Sequence, residues 1–309
     1  MDWNRELDRI VEEAELESMY GQVSEIEPEL DFQLKRIAEH YGEGANPYRA
    51  GCEETARSLL IRILSDERLK EIHSAKYRVK TAESLIGKCI RKKAELPRLP
   101  GEDWDVEKYR PLCGDNYYKV ITDLVGIRIL IRYPQQWRMV HEWILDVFAP
   151  WKQDCVKDWE AAYPEEGAGN FLAEQPRLYV RYGNEISAYL VDGELPFRPT
   201  ISKEGYCSLH YLVWYEGHYA EIQVRTIFDE AWGECTHDLV YNRHRNSGNR
   251  QELERLSVCL AAQTQSAGML ASLMYDMAFP GEDREEPAAD GYLAGRIFKG
   301  PALQDEERR

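Results

Sequence analysis

The sequence predicts an α+β chain in which helices at both ends enclose a block of strands. Three observations carry this. Two aromatic and β-branched runs, Gly205-Tyr-Cys-Ser-Leu-His-Tyr-Leu-Val-Trp-Tyr and His218-Tyr-Ala-Glu-Ile-Gln-Val-Arg-Thr, flank Glu216-Gly217 and read as a β-hairpin. A largely apolar run at 127–132 follows Gly126 and reads as a buried strand. Apolar residues recur at helical spacing before and after this block, in the first 70 residues and again over 251–277.

In chain order, residues 1–45 are acidic and helical in character, with Leu30, Leu34 and Ile37 on one face ahead of a break at Gly44-Ala45-Asn46-Pro47. Residues 49–70 predict a second amphipathic helix through Leu59, Leu60, Ile63 and Leu64. Residues 71–80 read as a strand that leads into a helix over 81–94, with Thr81 and Ser84 suited to its N-terminus. The Pro- and Gly-containing stretch 95–118 reads as a loop. A helix over 135–148 is expected behind the 127–132 strand. Short strands are expected at 177–182 and 186–191, and loops at 167–170 and 195–199. The 251–277 helix, apolar at Leu253, Leu256, Leu260, Met269, Leu270 and Leu273, is expected to pack on the domain. The Pro-, Gly- and Glu-rich tail from Pro280 reads as weakly ordered.

A net charge of −16 argues against broad binding to nucleic acid or anionic membrane, so basic clusters gain weight. Seven dispersed cysteines without a C-x-x-C pair fit free thiols in a reducing compartment. No leader or membrane-spanning run is read, and the cytoplasm is the expected location.

Arg78 and Lys80 sit just before a helix N-terminus that carries Ser84 and Lys88, with Arg91 and Lys92 one turn on. Free N–H groups, the helix dipole and the cations all favour phosphate there. Taken alone, the cluster reads equally well as a solvated basic face. Asp123 lies at the mouth of the buried strand, where α/β folds place metal ligands, although a lone Asp is more often a turn or cap residue. On the second hairpin strand the alternation puts Glu221, Gln223 and Arg225 on one face and Ile222 and Val224 on the other. His210, among aromatics, reads by itself as a packed histidine. His237-Asp238 lacks the further ligands of a metal-dependent phosphohydrolase, and no P-loop or kinase motif occurs.

Four separated segments together resemble the synthetase domain of the RelA/SpoT family. They are Tyr77-Arg-Val-Lys with Ser84 and Lys88, Asp123-Leu-Val-Gly-Ile-Arg128, Gly205-Tyr-x-Ser-Leu-His210, and Glu221-Ile-Gln-Val-Arg-Thr226 followed by Trp232, Glu234 and His237. The resemblance implies a mixed five-stranded sheet flanked by helices, related to nucleotidyltransferases, in a small synthetase-only member. It divides the chain into an N-terminal helical region (1–48), a synthetase domain (49–245), a C-terminal helix (246–279) and a tail (280–309). It implies transfer of pyrophosphate from ATP to the ribose 3′-hydroxyl of GTP or GDP, releasing AMP. Arg78, Lys80, Ser84, Lys88 and Arg128 would hold ATP phosphates or support Asp123. Asp123 and Glu221 would hold Mg²⁺, and Glu221 would take the 3′-hydroxyl proton. Tyr206 would stack on the acceptor base, and His210, Gln223, Arg225 and His237 would line its site. Ser202 stands where the family carries a Lys, and Lys203 is the expected substitute. Two further readings are a toxin-like member that modifies adenosine nucleotides or the tRNA 3′ end, and a non-catalytic nucleotide-binding regulator. A homo-oligomer fits the extra helices.

Overall fold

A computed structural model describes residues 3–42, 47–97, 100–101, 103–150, 163–165, 167–181, 186, 189–202, 205–236, 239 and 248–280. Three N-terminal helices, α1 (Trp3–Glu13), α2 (Glu17–Ile26) and α3 (Leu30–Gly42), precede α4 (Tyr48–Ser65). Strand β1 (Ser74–Val79) leads into α5 (Ala82–Ala94). The Thr81 side chain caps α5 by accepting from the Ser84 amide at 3.2 Å, as the sequence predicts. Short helix α6 (Trp104–Glu107) lies within the expected loop, and α7 (Tyr117–Val120) begins at its end. They precede β2 (Val125–Ile131) and α8 (Trp137–Val147). Then follow β3 (Phe171–Leu172), β4 (Arg177–Arg181), β5 (Arg198–Ser202), β6 (Ser208–Tyr215), β7 (His218–Thr226), α9 (Ile227–Thr236) and α10 (Arg250–Ala278).

The fold is α+β with one mixed sheet flanked by helices, in the order β1-β2-β7-β6-β4-β5, with β3 added on β6. Neighbours β2 and β7 are parallel, as are β4 and β5, and the remaining pairs are antiparallel. The sheet has seven strands among the described residues, where the resemblance implied five. The additions are the two-residue β3 and the edge strand β5. The edge strand contains Pro199, and an edge is where a strand tolerates proline; it begins inside the stretch read as a loop. The described residues of 186–191 do not form the expected strand. Tyr189 N–H donates back to Ile186 C=O, and only Val191 makes an isolated bridge, to Glu194. The β6–β7 turn is the predicted two-residue type, with Glu216 at φ 47° and Gly217 at φ 87°.

Strand alternation splits the sheet into two chemically distinct faces. Val125, Ile127, Ile129, Ile131, Leu209, Tyr211, Val213, Ala220, Ile222 and Val224 share the buried apolar face. Helix α4 packs on this face through Cys52, Thr55, Ala56, Leu59 and Ile63. Leu59 and Ile63 fall inward as predicted, whereas Leu64 is 58% exposed, one position off the stripe. Leu30, Leu34 and Ile37 are buried as predicted, with Tyr41. The N-terminal helices close over α5, so they hold the start of α5 in place. No described helix is long and apolar enough to cross a membrane.

The 251–277 helix departs from expectation. Leu256, Leu270, Leu273 and Met269 face outward at 58–63% exposure, and α10 instead meets the domain mainly through small and polar residues, with the Tyr275 ring 5.0 Å from that of Tyr133. Trp232 Nε1 donates to Ser257 C=O at 3.0 Å, Ala261 lies against Gly205, Gly268 lies against Phe228, and Gln135 donates to the Ser272 hydroxyl at 2.7 Å.

Ile222 is fully buried at the sheet centre, whereas Ile61 on α4 is 66% exposed. Ile222→Ala is expected to cost about 2–5 kcal/mol in urea unfolding. Ile61→Ala is expected to change stability by less than about 0.5 kcal/mol.

Candidate active site

The opposite, polar face of the sheet gathers the charged residues. One row across the strands runs Lys76, Arg128, Gln223, His210, Arg177 and Arg198, each paired with the next. The row above it runs Arg78, Gly126, Glu221 and Leu212. Gly126 leaves room for a neighbour: a Cβ there would lie 3.2 Å from Cγ and 3.3 Å from Nε of Arg78. The Arg78 side chain can therefore lie across β2 toward Glu221. Among the described residues, none forms a hydrogen bond or ion pair with the Arg78 guanidinium.

Asp123 sits three residues before Gly126, at the entrance to β2. Its carboxylate is bracketed by Lys80, at the end of β1 (3.2 Å), and Lys88, on the first turns of α5 (2.9 Å). All three are largely buried. Burial pushes the Asp123 carboxyl up, but the charges of Lys88 and Lys80 outweigh it and hold the group well below the ordinary carboxylate range. The two lysines respond differently. Burial and the neighbouring cations Lys88 and Arg78 lower Lys80 despite Asp123. For Lys88, burial is outweighed by Asp123, with help from Tyr109 and Glu221, and the ammonium rises to about 12. Of the two lysines on Asp123, Lys80 is the one whose charge is left less compensated.

Glu221 is the end point of two converging hydrogen-bond chains. Arg225 Nη2 donates to Gln223 Oε1 at 2.6 Å, and Gln223 Nε2 donates to Glu221 Oε2 at 2.5 Å. Arg225 Nη2 also donates to the Tyr206 hydroxyl at 2.5 Å, and that hydroxyl lies 2.7 Å from His210 Nε2. His210 Nδ1 lies 3.0 Å from Glu221 Oε1. Arginine can only donate, so in neutral His210 the proton sits on Nδ1 and points at Glu221. Burial raises the Glu221 carboxyl. The attraction and hydrogen bond of His210 and the Gln223 amide offset this against some repulsion from Asp123, leaving it at about 2.

Several predicted site residues have partners within the chain. Arg128 does not support Asp123. It pairs with Glu230 at 2.7 Å and Glu234 at 2.5 Å on α9, because β2 carries it two residues past Gly126 to the α9 side of the face. Arg225 is only 7% exposed and is engaged by Gln223, Tyr206 and Glu230 rather than open to an acceptor. Tyr206 is not a free stacking platform here: the Arg225 guanidinium lies over its ring at 4.6 Å, with the Tyr179 edge at 5.6 Å. Ser84 donates its amide to Thr81 and accepts the Thr81 hydroxyl at 3.1 Å. Lys203 and His237 lie outside the described residues.

Glu230 and Arg181 were not singled out from the sequence, and Asp229 was noted there without a role. Glu230 is a buried hub that holds Arg128, Arg225 (3.3 Å) and Lys76 (2.9 Å). Asp229 pairs with buried Arg181 at 2.9 Å and accepts from Thr226; Arg181 in turn donates to Gly205 C=O, just before Tyr206. The signal available was Glu230 and Glu234 one turn apart, directly after the Arg-bearing strand.

The donor set fits Mg²⁺. Asp123 Oδ1 is buried without a hydrogen-bond donor in good geometry, although Lys88 lies 2.9 Å away, and the charge of Asp123 acts unfavourably on the Glu221 carboxylate. Mg²⁺ characteristically takes one or two carboxylates and completes its shell with phosphate and water. Among the described residues no cluster of three or more His, Cys, Asp or Glu forms a metal cage.

Residues 77–246, more than half of the 309, match the family described as the region found in RelA / SpoT proteins, and the chain belongs to that family. A search of curated proteins finds no match. Similar solved structures include a GTP pyrophosphokinase family protein from Streptococcus pneumoniae, at 16% identity and TM-score 0.48, covering 75% of this chain and 92% of that one. The small alarmone synthetase 1 from Bacillus subtilis is also similar, at 16% identity and TM-score 0.48, covering 75% and 95%. Its complex with the product pppGpp gives 17% identity and TM-score 0.45, covering 75% and 94%.

Asp123 and Glu221 bind protons less tightly folded than unfolded. Between the ordinary glutamate value, about 4.3, and about 2 for folded Glu221, the unfolded chain holds more protons, so stability rises with pH. Their contribution is complete above about pH 5 and is lost as the pH falls through this window. Urea midpoints measured from about pH 5 down to 2 are expected to fall, and Glu221→Gln should flatten part of that slope. An unchanged slope in the variant would place the acid sensitivity elsewhere.

Proposed function

We propose that this member of the RelA/SpoT family transfers a pyrophosphoryl group from ATP to the ribose 3′-hydroxyl of GTP or GDP and releases AMP. The observation that carries this reading is the pair of carboxylates, Asp123 at the entrance to β2 and Glu221 on its parallel neighbour β7, flanked by Lys80, Lys88 and Arg78.

In this reading the β- and γ-phosphates of ATP lie against Lys80, Lys88, Arg78 and the N-terminal turn of α5. Lys80, whose charge is under-compensated, gains the most from an incoming polyphosphate. The acceptor 3′-oxygen attacks the β-phosphorus and the bond from that phosphorus to the α,β-bridging oxygen breaks, so the leaving group is AMP. Asp123 and Glu221 would hold Mg²⁺, which supplies charge neutralisation on the transferring group. Glu221 accepts the hydrogen bond of the 3′-hydroxyl and takes its proton. In the free protein it is a weak base, because His210 and Gln223 stabilise its anion. The negative charge of bound ATP opposes that stabilisation and raises its basicity. The Arg225 chains keep the carboxylate aimed while this happens. For Tyr206 to stack on a base, Arg225 must leave its ring, so acceptor binding would loosen the His210–Tyr206 arm.

Purified protein is therefore expected to convert ATP, Mg²⁺ and GTP or GDP to AMP and a 3′-pyrophosphorylated guanosine nucleotide, read by chromatography and phosphorus NMR. ATP and deacylated tRNA run as parallel acceptors, and transfer to either of them alone would replace the guanine reading. Glu221→Gln should lower turnover by about 10²–10⁴-fold with the fold intact. Near-normal turnover would remove Glu221 from the chemistry.

A further inference from the structure

The polar face of the sheet continues past Glu221 on the β6 side. Arg177 on β4 stands beside His210, and Arg198 on β5 stands beside Arg177. Helix α6 meets this end through Asp105, which lies 3.4 Å from both guanidinium groups. That is long against the roughly 2.7–2.9 Å of a tight charge-assisted bond. Glu174 pairs with Arg177 at 2.8 Å, so both carboxylates here are turned to arginines. After α6, Tyr109 N–H donates to Val106 C=O at 3.2 Å and Arg110 N–H to Glu107 C=O at 2.9 Å. This three-residue spacing brings Lys108 to the same side as Asp105. Lys108 is only 9% exposed. Among the described residues, none forms a hydrogen bond or ion pair with its ammonium, which lies 5.2 Å from the centre of the Tyr109 ring. Burial, with the charges of Arg177 and Lys88, outweighs Glu174 and Asp105 and lowers the proton affinity of Lys108.

We infer that Lys108 binds the 5′-phosphates of the acceptor nucleotide and sets its preference for a di- or triphosphate over a monophosphate. The inference rests on the acceptor reading above and adds to it a residue from the segment between α5 and β2. Three observations support it. Ammonium groups are rarely buried unpaired, and an incoming anion offsets the cost. Asp105 holds Arg177 and Arg198 only at 3.4 Å, so a phosphate can replace it there with shorter bonds. The third is the placing of charge about Glu221. Lys80 and Lys88 gather at Asp123 on its β2 side, and Lys108 with Arg177 lies on its β4 side. Two cation groups on opposite sides of one carboxylate suit a reaction that brings two polyphosphates together, one to each group. The flexible stem of a lysine also lets its charge follow a phosphate chain rather than one fixed pair of oxygens.

Calorimetric binding of GTP, GDP and GMP to the full chain tests this without turnover, with ATP titrated in parallel. The wild type is expected to bind GTP and GDP about tenfold or more tighter than GMP. Lys108→Met keeps the length of the side chain and removes its charge. It should weaken GTP and GDP by about tenfold or more and GMP and ATP by less than about threefold. Its thermal midpoint should be unchanged or higher, since an unpaired buried charge gives way to an apolar chain. Lys108→Arg should keep most of the preference. Equal losses for all three guanosine nucleotides, or a preference unchanged in Lys108→Met, would overturn the inference. A loss for ATP as large as that for GTP would place Lys108 on the donor and overturn it too. The transfer assay separates the two readings. A wild type that shows the preference but transfers nothing fails the proposed reaction and upholds Lys108, whereas one that binds no guanosine nucleotide overturns both.

Discussion

The parallel pairing of β2 with β7 is the constraint on which the site depends. Its register sets Gly126 beside Glu221 and Arg128 beside Gln223. A one-residue slip would turn Ile222 and Val224 to the polar side and Glu221 into the α4 core, so the apolar face enforces the register of the functional one. The antiparallel pairs on either side then extend the same rows, bringing Arg78 from β1 and His210 from β6 to the two flanks of Glu221. Asp123 needs no strand of its own. It enters at the mouth of β2, where the end of β1 and the start of α5 deliver one lysine each.

Charge is distributed with the same economy. A chain of net −16 collects cations on one sheet face and neutralises several of them with carboxylates from a single helix. Glu230 and Glu234 on α9 take up Arg128 and Lys76, and Glu230 also steadies Arg225. What is left under-compensated is the corner at Lys80, with Arg78 beside it. A buried carboxylate that holds three cations contributes geometry more than net stability, since desolvation offsets much of the attraction. Its consequence is that Arg225 has one place to be, and the two chains to Glu221 follow from it.

Much of this was legible from residue order. The hairpin with its Glu216-Gly217 turn, the Thr81 cap, the inward set Leu30, Leu34, Ile37, Leu59 and Ile63, and the shared face of Glu221, Gln223 and Arg225 all follow from local periodicity and turn chemistry. The edge strand β5 was not legible, because Arg198-Pro-Thr-Ile-Ser has neither alternation nor a β-branched run, and only its pairing with β4 makes it a strand. The inverted docking of α10 was hidden for a related reason. An apolar stripe in a helix normally points to the core, yet here the stripe of Ser, Ala and Gly gives the closer approach to α9.

The sequence by itself determined the family, the strand faces and the short list of charged residues, because those depend on spacings of two, three or four positions along one element. Tertiary structure decided which charge answers which. Arg128 finds Glu230 at 102 residues' separation, and Lys80 and Lys88 converge on Asp123 from two different elements. Coulomb attraction and burial act through space, and the partner nearest in space leaves no periodic trace in the chain.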